Sequence, residues 1–238
     1  MQQPHTYRHI FFDMDGTLTP ANTVLDSEMK GLLQQLMDSG RDVMVVSGQI
    51  APALKTNVGV GTYFMSQNGN NTIDAKTGKE LWCDSLSDAE KKEITDHISS
   101  IPIDWEVEDE DDLVMDRGCQ VSFSLLGYHA NKELKNAFDP DFSKRLKILK
   151  EHPFDSKTLT VSVGGTTTFD YIKKGRDKGY NVNKLIETMG WNKAECLYIG
   201  DALFEDGNDE AVIGVIDTRQ VANPEETKSV IREVLKNE

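Results

Sequence analysis

Acidic residues that follow short apolar runs are the residues of this chain best suited to chemistry. Asp13 and Asp15 come directly after an apolar run near the start, and Asp201 and Asp209 belong to a second acidic loop. Crowded carboxylates repel one another unless a cation neutralises them. Their hard oxygen atoms suit Mg²⁺, with coordination positions left for water and a phosphate group. If the two loops meet, the sequence therefore predicts a Mg²⁺ site.

The elements around these residues predict an arrangement that brings them together. Short apolar runs predict buried strands at residues 8–12, 42–46, 63–66, 195–199 and 213–217. An amphipathic helix is predicted after the first of them, over residues 29–37. Strands that alternate with helices form parallel sheets, and ligands bind beyond the carboxyl ends of such strands. Asp13, Ser47, residues 68–69 and Asp201 each follow a predicted strand, so we expect them at one edge.

The middle of the chain has a different pattern, which predicts an inserted domain. Residues 87–90 form a capping box that opens a helix. Apolar and polar residues then alternate with a period of two, as in half-buried antiparallel strands. This alternation occurs at residues 119–126, 158–163 and 167–172. We therefore predict an α/β fold with a Rossmann-like parallel-sheet core at residues 1–83 and 175–238, and an inserted α+β domain at residues 84–174.

Composition and charge exclude several classes of function. The chain has 238 residues, with 26 Lys and Arg against 40 Asp and Glu, so its net charge is −14. Such an acidic surface disfavours nucleic acids and anionic membranes as partners. The three cysteines are far apart, and no apolar run reaches transmembrane length. We therefore predict a cytoplasmic protein without a zinc site or a disulfide framework.

Two charged runs have simple interpretations as solvated surface. Residues 106–112 hold six carboxylates in seven residues, which predicts an exposed loop. The run lacks the glycine and the downstream Glu of a calcium-binding EF-hand. A basic run in the inserted domain predicts a solvated helix face, with attraction of an anionic substrate as the alternative. Its members are Lys132, Lys135, Lys144, Arg145 and Lys147.

Taken in order along the chain, four segments resemble the four motifs of the haloacid dehalogenase (HAD) superfamily of phosphohydrolases. They are residues 13–17, Ser47, Lys178 and the loop at residues 200–209. The inserted domain resembles the cap of the type IIB members, a C2b-like cap. Within that group the chain resembles the phosphomannomutases in particular, through residues 164–170, residues 175–178 and Arg117.

The resemblance implies a Mg²⁺-dependent phosphatase that hydrolyses a small phosphomonoester, such as a sugar phosphate, through an aspartyl-phosphate intermediate. It implies Asp13 as the nucleophile and Asp15 as the general acid and base. Ser47 and Lys178 would hold the phosphoryl oxygens. The implied Mg²⁺ ligands are Asp13, Asp15 through its backbone carbonyl, Asp201 and Asp209, with Asn208 in support. The implied substrate-binding residues are Thr17, Gly48, Arg117, Thr168 and Asp170.

The sequence departs from the phosphomannomutases at two positions. Tyr128 stands where the mutases have a second cap arginine, eleven residues after Arg117, and Asp206 replaces a glycine of the acidic loop. A mutase must hold a second phosphate while the sugar reorients, and the lost arginine weakens that grip. We therefore favour a phosphatase, with a phosphosugar mutase as the alternative.

Two readings from other functional classes are less consistent with the residues. A signalling receiver domain also phosphorylates an Asp beside Mg²⁺ and a Lys, but it is shorter, lacks an inserted domain and places the acceptor later in the chain. A binding protein without catalysis needs no proton donor, so the presence of both Asp13 and Asp15 argues against it. The sequence is compatible with a monomer or a homodimer.

Overall fold

The chain folds into two compact units in a computed structural model that describes residues 7–20, 23–205 and 207–236. Unit 1 comprises Met1–Asp84 and Arg176–Glu238, and unit 2 comprises Ser85–Gly175. Asp206, one of the two departures noted above, lies outside the described residues. Within the described ranges, no helix combines the length and apolar character that crossing a membrane requires.

In the residues that the structure describes, the two units contain eleven strands and seven α-helices. The strands are β1 (His9–Asp13), β2 (Asp42–Val46), β3 (Tyr63–Ser66), β4 (Asn71–Asp74), β5 (Glu80–Cys83), β6 (Val114–Asp116), β7 (Val121–Ser124), β8 (Leu159–Gly164), β9 (Thr168–Lys173), β10 (Cys196–Gly200) and β11 (Asp217–Gln220). The helices are α1 (Ser27–Asp38), α2 (Ala51–Val58), α3 (Asp88–Ser100), α4 (Lys132–Phe138), α5 (Ser143–Glu151), α6 (Lys178–Met189) and α7 (Pro224–Lys236).

Unit 1 is built on a seven-stranded sheet in the order β11-β10-β1-β2-β3-β4-β5. The strands from β11 to β3 are parallel, and β4 and β5 add an antiparallel edge. Both faces of the parallel part are covered, so β1 buries Ile10 and Phe12 in one apolar cluster and Phe11 in another. The predicted parallel-sheet core is confirmed, and Asp13 and Gly200 end two neighbouring central strands.

The prediction of a buried strand at residues 213–217 is wrong. The last strand of the sheet is β11, and all four of its residues are exposed because it lies at the edge. The apolar residues before it serve a different purpose, since Val212 and Ile216 pack into the core while Ile213 is half exposed. A loop with isolated apolar anchors therefore produced the same pattern as a short buried strand.

One asparagine joins the two points at which the chain leaves and re-enters unit 1. The backbone carbonyl of Asn70 accepts a hydrogen bond from the amide of Asp84 at 2.8 Å. The side chain of Asn70 donates to the carbonyl of Arg176 at 2.9 Å. Asn70 is buried, so these bonds are shielded from water and hold both junctions against the loop after β3.

Unit 2 contains a four-stranded antiparallel sheet in the order β6-β7-β9-β8. Its apolar face buries Phe123, Phe169 and Tyr171 in a cluster that also contains Ile94 of α3. The predicted capping box is present at the start of α3, where Ser87 and Glu90 bond to each other's backbone amides. The period-two alternation in the sequence therefore describes a sheet with one face in a core, as expected.

Most of the acidic run at residues 106–112 lies at the surface of unit 2, as predicted. Its last residue, Asp112, is only partly exposed because the carboxylate turns inward. It accepts hydrogen bonds from the backbone amide and from the ring Nδ1 of His129, both at 2.6 Å. The run therefore ends in a contact that holds the segment next to Tyr128.

The prediction of a solvated basic face is wrong for Arg145, which is fully buried. Its Nε donates to the carboxylate of Asp139 at 2.7 Å, and that carboxylate is also buried. Its Nη1 donates to the carbonyls of Gly164, Gly165 and Thr168, which form the turn between β8 and β9. Arg145 therefore ties α5 to this turn.

Replacing Arg145 by Met should destabilise the protein strongly, because the Asp139 carboxylate would stay buried without its partner. Removing one member of a buried ion pair costs about 3–5 kcal/mol. Urea denaturation of the full chain, followed by circular dichroism, measures the loss in free energy of unfolding.

The matched control for this substitution is Lys147→Met on the same helix. Lys147 is largely exposed and its ion pair with Glu151 is long, at 3.8 Å, so we expect a change within about 0.5 kcal/mol. Equal losses in the two variants would contradict a structural role for the buried pair.

Candidate active site

Asp13 is the last residue of β1 and is almost completely buried. Its Oδ1 accepts a hydrogen bond from the ammonium group of Lys178 at 2.6 Å. Its Oδ2 is buried and has no hydrogen-bond partner among the described residues. A buried carboxylate with one unsatisfied oxygen is costly, so this atom is placed for a ligand.

Lys178 is the first residue of α6 and is buried between two carboxylates. Besides Asp13, it donates to Oδ1 of Asp209 at 2.7 Å. The next residue, Gly179, lets the helix approach closely, because a Cβ there would lie 1.8 Å from the carbonyl oxygen of Ala211. The chain thus needs a glycine at this point to bring Lys178 and Asp209 together.

Asp209 is fully buried, and its two oxygens have different surroundings. Oδ1 accepts hydrogen bonds from Lys178 and from the hydroxyl of Tyr198, the latter at 2.6 Å. Oδ2 has no hydrogen-bond partner in the described part of the chain. It lies against Gly200, where a Cβ would approach it to 2.4 Å, so a side chain at that position would collide with the carboxylate.

Asp201 follows β10 and is the more exposed third carboxylate. Its Oδ1 accepts a hydrogen bond from the hydroxyl of the buried Thr17 at 3.1 Å. Thr17 therefore ties the loop after β1 to the loop after β10.

Asp13, Asp201 and Asp209 together fit a divalent cation. One oxygen from each can be chosen so that all three lie within 4.8 Å of one another. When all three are ionised, the single lysine leaves two negative charges uncompensated, which one Mg²⁺ would balance. Two of these residues, Asp13 and Asp209, each have a buried oxygen without a hydrogen-bond partner among the described residues. Hard carboxylate oxygens are the ligands that Mg²⁺ prefers.

Burial and mutual repulsion shift the pKa values of these groups. Burial raises the pKa of Asp13 to about 7, against the lowering effect of Lys178 and with a further increase from Asp209. Burial also raises the pKa of Asp201. Burial opposes the charged form of Lys178, but attraction to Asp13 and Asp209 prevails and raises its pKa. Burial, together with Asp209, raises the pKa of Tyr198 well above its usual value, so its hydroxyl remains a donor.

The other residues predicted at this edge lie in the neighbouring loops of unit 1. Asp13 pairs in register with Val46, so Ser47 follows directly after the residue opposite Asp13. Ser47 is buried, and Gly48 comes next. Asp15 is partly exposed and accepts a hydrogen bond from Gln49 at 3.3 Å.

Asn208 is exposed, although its neighbour Asp209 is buried. Its side chain therefore differs in environment from the carboxylate that it was expected to support. The direct contacts of the site link Asp13, Lys178, Asp209, Asp201 and Thr17.

The three remaining predicted residues belong to unit 2. Asp170 on β9 accepts a hydrogen bond from Ser122 on β7 at 2.6 Å, and burial raises its pKa. The hydroxyl of Thr168 donates to the carbonyl of Gly164 at 2.6 Å. The guanidinium of Arg117 lies 5.7 Å from the ring centre of Tyr128. Asp170, Thr168 and Arg117 thus form part of the polar side of the unit 2 sheet and of its adjoining loop.

The comparison with protein families shows the family to which the chain belongs. Residues 10–211 match the family described as haloacid dehalogenase-like hydrolase, which covers most of the chain and all four motifs. The chain belongs to this family. It is therefore a HAD-type hydrolase or phosphotransferase, and members of this superfamily use Mg²⁺.

Relatives of known name and solved structures agree with this membership. The phosphomannomutase of Saccharomyces cerevisiae is 27% identical, over 98% of this chain and 95% of its own. That of Oryza sativa is 26% identical, over 93% of both chains. A HAD phosphatase from Bacteroides thetaiotaomicron has the same fold, with a TM-score of 0.66, 12% identity and coverage of 98% of this chain and 97% of its own.

Two residues of this HAD site were missed by sequence reasoning. Tyr198 looked like one more apolar residue of a buried strand, and only its hydroxyl distinguishes it from its neighbours. Asn181, buried on α6, donates to the carbonyls of Asn68 and Asp177 at 2.9 and 3.0 Å. These two bonds hold the start of α6, the helix that carries Lys178, against the loop after β3. No motif marks either residue in the sequence.

Adding Mg²⁺ should raise the melting temperature of this HAD protein, because an ion held by the three carboxylates binds the native state and not the unfolded chain. At about 100 times its Kd the ion would add ~2.7 kcal/mol of stability. That corresponds to a rise in Tm of roughly 5–10 °C for a chain of this size. Differential scanning fluorimetry with and without MgCl₂ measures the shift.

Two variants show whether the shift arises at this site. Asp209→Asn should lose most of the rise, since it removes a buried carboxylate from the group. Asp42→Asn should keep it, because Asp42 begins β2 and pairs with His9 instead. The site assignment is wrong if the unsubstituted protein and both variants shift equally.

Proposed function

We propose that the protein is a Mg²⁺-dependent phosphatase that hydrolyses a small phosphomonoester, a sugar phosphate, through an aspartyl-phosphate intermediate. The observation that carries this proposal is the buried carboxylate of Asp13, which Lys178 holds at 2.6 Å inside a group of three carboxylates. A nucleophilic carboxylate needs a fixed orientation and a nearby positive charge, and both are present.

Asp13 would attack phosphorus in the first step. An oxygen–phosphorus bond forms to Asp13 while the bond from phosphorus to the leaving alcohol breaks. Asp15, two residues further along the same loop, would give its proton to the leaving oxygen. The hydrogen bond from Gln49 would hold Asp15 in place between turnovers.

Hydrolysis of the aspartyl-phosphate completes the reaction. Asp15, now ionised, would take a proton from a water molecule whose oxygen attacks phosphorus, and the bond between Asp13 and phosphorus breaks. Inorganic phosphate leaves, and both aspartates return to their starting states. Lys178 and Ser47 would hold the phosphoryl oxygens through both steps, at fixed positions that need no reorganisation.

When bound, Mg²⁺ would neutralise the phosphoryl charge. The groups that would hold it are Asp13, Asp201, Asp209 and the backbone carbonyl of Asp15. Thr17 would keep Asp201 oriented through its hydrogen bond. Asn208 would support this group from its exposed position.

We also propose that residues 84–174 act as the cap that selects the substrate. Arg117, Thr168 and Asp170 would contact the part of the substrate that does not react, and Thr17 and Gly48 would contact the phosphate end. Supporting this role, Asp170 and Ser122 pair in register on β9 and β7 and are hydrogen bonded to each other. A sheet face with paired polar side chains is suited to hydroxyl groups of a sugar.

A phosphosugar mutase is the second candidate, favoured by the similarity to phosphomannomutases over nearly the full length of both chains. Tyr128 argues for the phosphatase, because a neutral ring stands in place of a cap arginine. Arg117 and Lys135 each lie 5.7 Å from the centre of that ring. The segment therefore keeps two cations, but the tyrosine itself adds no charge that could pair with a second phosphate.

The two functions differ in their products. We would incubate the protein with Mg²⁺ and a panel of hexose 1-phosphates and 6-phosphates, with and without a hexose bisphosphate. Phosphate release that does not require the bisphosphate is the expected result. Isomerisation that requires the bisphosphate, with little phosphate release, would establish the mutase instead.

Replacing Asp13 by Asn should reduce turnover at least about a thousandfold, because an amide cannot form the acyl-phosphate bond. The amide keeps the shape of the side chain, and Lys178 keeps its ion pair with Asp209, so we expect the variant to stay folded. Steady-state phosphate release measures the effect.

The matched control is Asp42→Asn, at the opposite end of the neighbouring strand β2. Its turnover should stay within about twofold of the unsubstituted protein. Near-normal activity in Asp13→Asn would rule out Asp13 as the nucleophile.

A further inference from the structure

Tyr198 is a buried tyrosine whose hydroxyl has no part in the steps above. We propose that Tyr198 is a positioning residue that fixes Asp209 so that its Oδ2 faces the cation site. The inference rests on the proposed Mg²⁺-dependent function, and it adds a residue that none of the four motifs contains.

Tyr198 is buried among apolar side chains, and its hydroxyl donates a hydrogen bond to Asp209. The residue lies on β10 in register with Phe11 of β1, and it is fully buried. Its ring packs in an apolar cluster that includes Met44 and Leu185. A hydroxyl in such a place must find a partner to offset the loss of water, and it finds Oδ1 of Asp209 at 2.6 Å.

The hydrogen bonds to Asp209 are all on one oxygen. Oδ1 accepts from both Tyr198 and Lys178, at 2.6 and 2.7 Å. Oδ2 has no partner among the described residues, although it is equally buried. Two donors on one oxygen fix the torsion of the carboxylate group, so Oδ2 is the oxygen of Asp209 left for a cation held together with Asp13 and Asp201.

Lys178 could not provide this orientation by itself. Its ammonium group is shared with Asp13, so it would follow any movement of either carboxylate. Without the tyrosine, either oxygen of Asp209 could accept the hydrogen bond from Lys178. The hydroxyl also adds no charge, so it orients Asp209 while the site keeps the negative charge that attracts a cation.

The test is the Mg²⁺ affinity of Tyr198→Phe, measured by isothermal titration calorimetry on the full chain at constant pH. Phenylalanine keeps the ring packing and removes only the hydroxyl. Loss of such a supporting hydrogen bond weakens metal binding by about 10–100-fold, and we expect a rise in Kd of about tenfold. Tyr198→Met, which also fills an apolar site without a hydroxyl, is a second variant in case the phenylalanine protein does not fold.

The matched control is Tyr63→Phe. Tyr63 lies on β3 of the same sheet, and its hydroxyl contacts the sulfur of Met189 at 3.6 Å, not a carboxylate. Its Mg²⁺ Kd should equal that of the unsubstituted protein. The melting temperature without Mg²⁺ is recorded for each variant, because a purely structural hydroxyl would change that value alone.

A change in Kd of less than threefold for Tyr198→Phe, with or without a lower melting temperature, would overturn the positioning role. That outcome would leave the proposed function intact, since the unsubstituted protein would still bind Mg²⁺. If the unsubstituted protein bound no Mg²⁺, both the positioning role and the proposed function would fail. The two failures are therefore distinguishable in one set of titrations.

Discussion

The buried ion pairs of Lys178 are the interaction on which the site depends. Removing charged groups from water costs several kcal/mol for each ion, and unit 1 buries Asp13, Lys178 and Asp209 together. The two salt bridges, at 2.6 and 2.7 Å, offset much of this cost and join the end of β1 to the loop after β10. The surrounding backbone is built for close approach, since Gly179 and Gly200 leave no room for a Cβ.

Much of this site could be predicted because it is made from strand ends. In a parallel sheet the carboxyl ends share one edge, so Asp13 and Asp201 had to come near each other once the strand pattern was recognised. The roles of Tyr198 and Asn181 could not be predicted in this way. Both act through hydrogen bonds across the core, to Asp209 and to the loop after β3, and such pairs depend on the packed structure and not on spacing along the chain.

The fold was predictable where burial decides the pattern, and not where single contacts decide it. The runs that became β1, β2 and β10 are apolar because both faces of the sheet are covered. Residues 213–217 show a similar apolar pattern, but residues 213–216 form a loop that packs Ile216 into the core. Arg145 was predicted at the surface because it lies in a Lys-rich run. Nothing in that run indicates that Asp139 pairs with Arg145 in the interior.

The bonds of Asn70 have a consequence for how such a chain can diversify. Asp84 and Arg176 are held by the same buried side chain and backbone, so the ends of the inserted segment stay at a fixed separation whatever lies between them. Lys178 follows only two residues after that junction. The inserted segment can therefore differ in length and sequence while Lys178 keeps its position relative to Asp13 and Asp209.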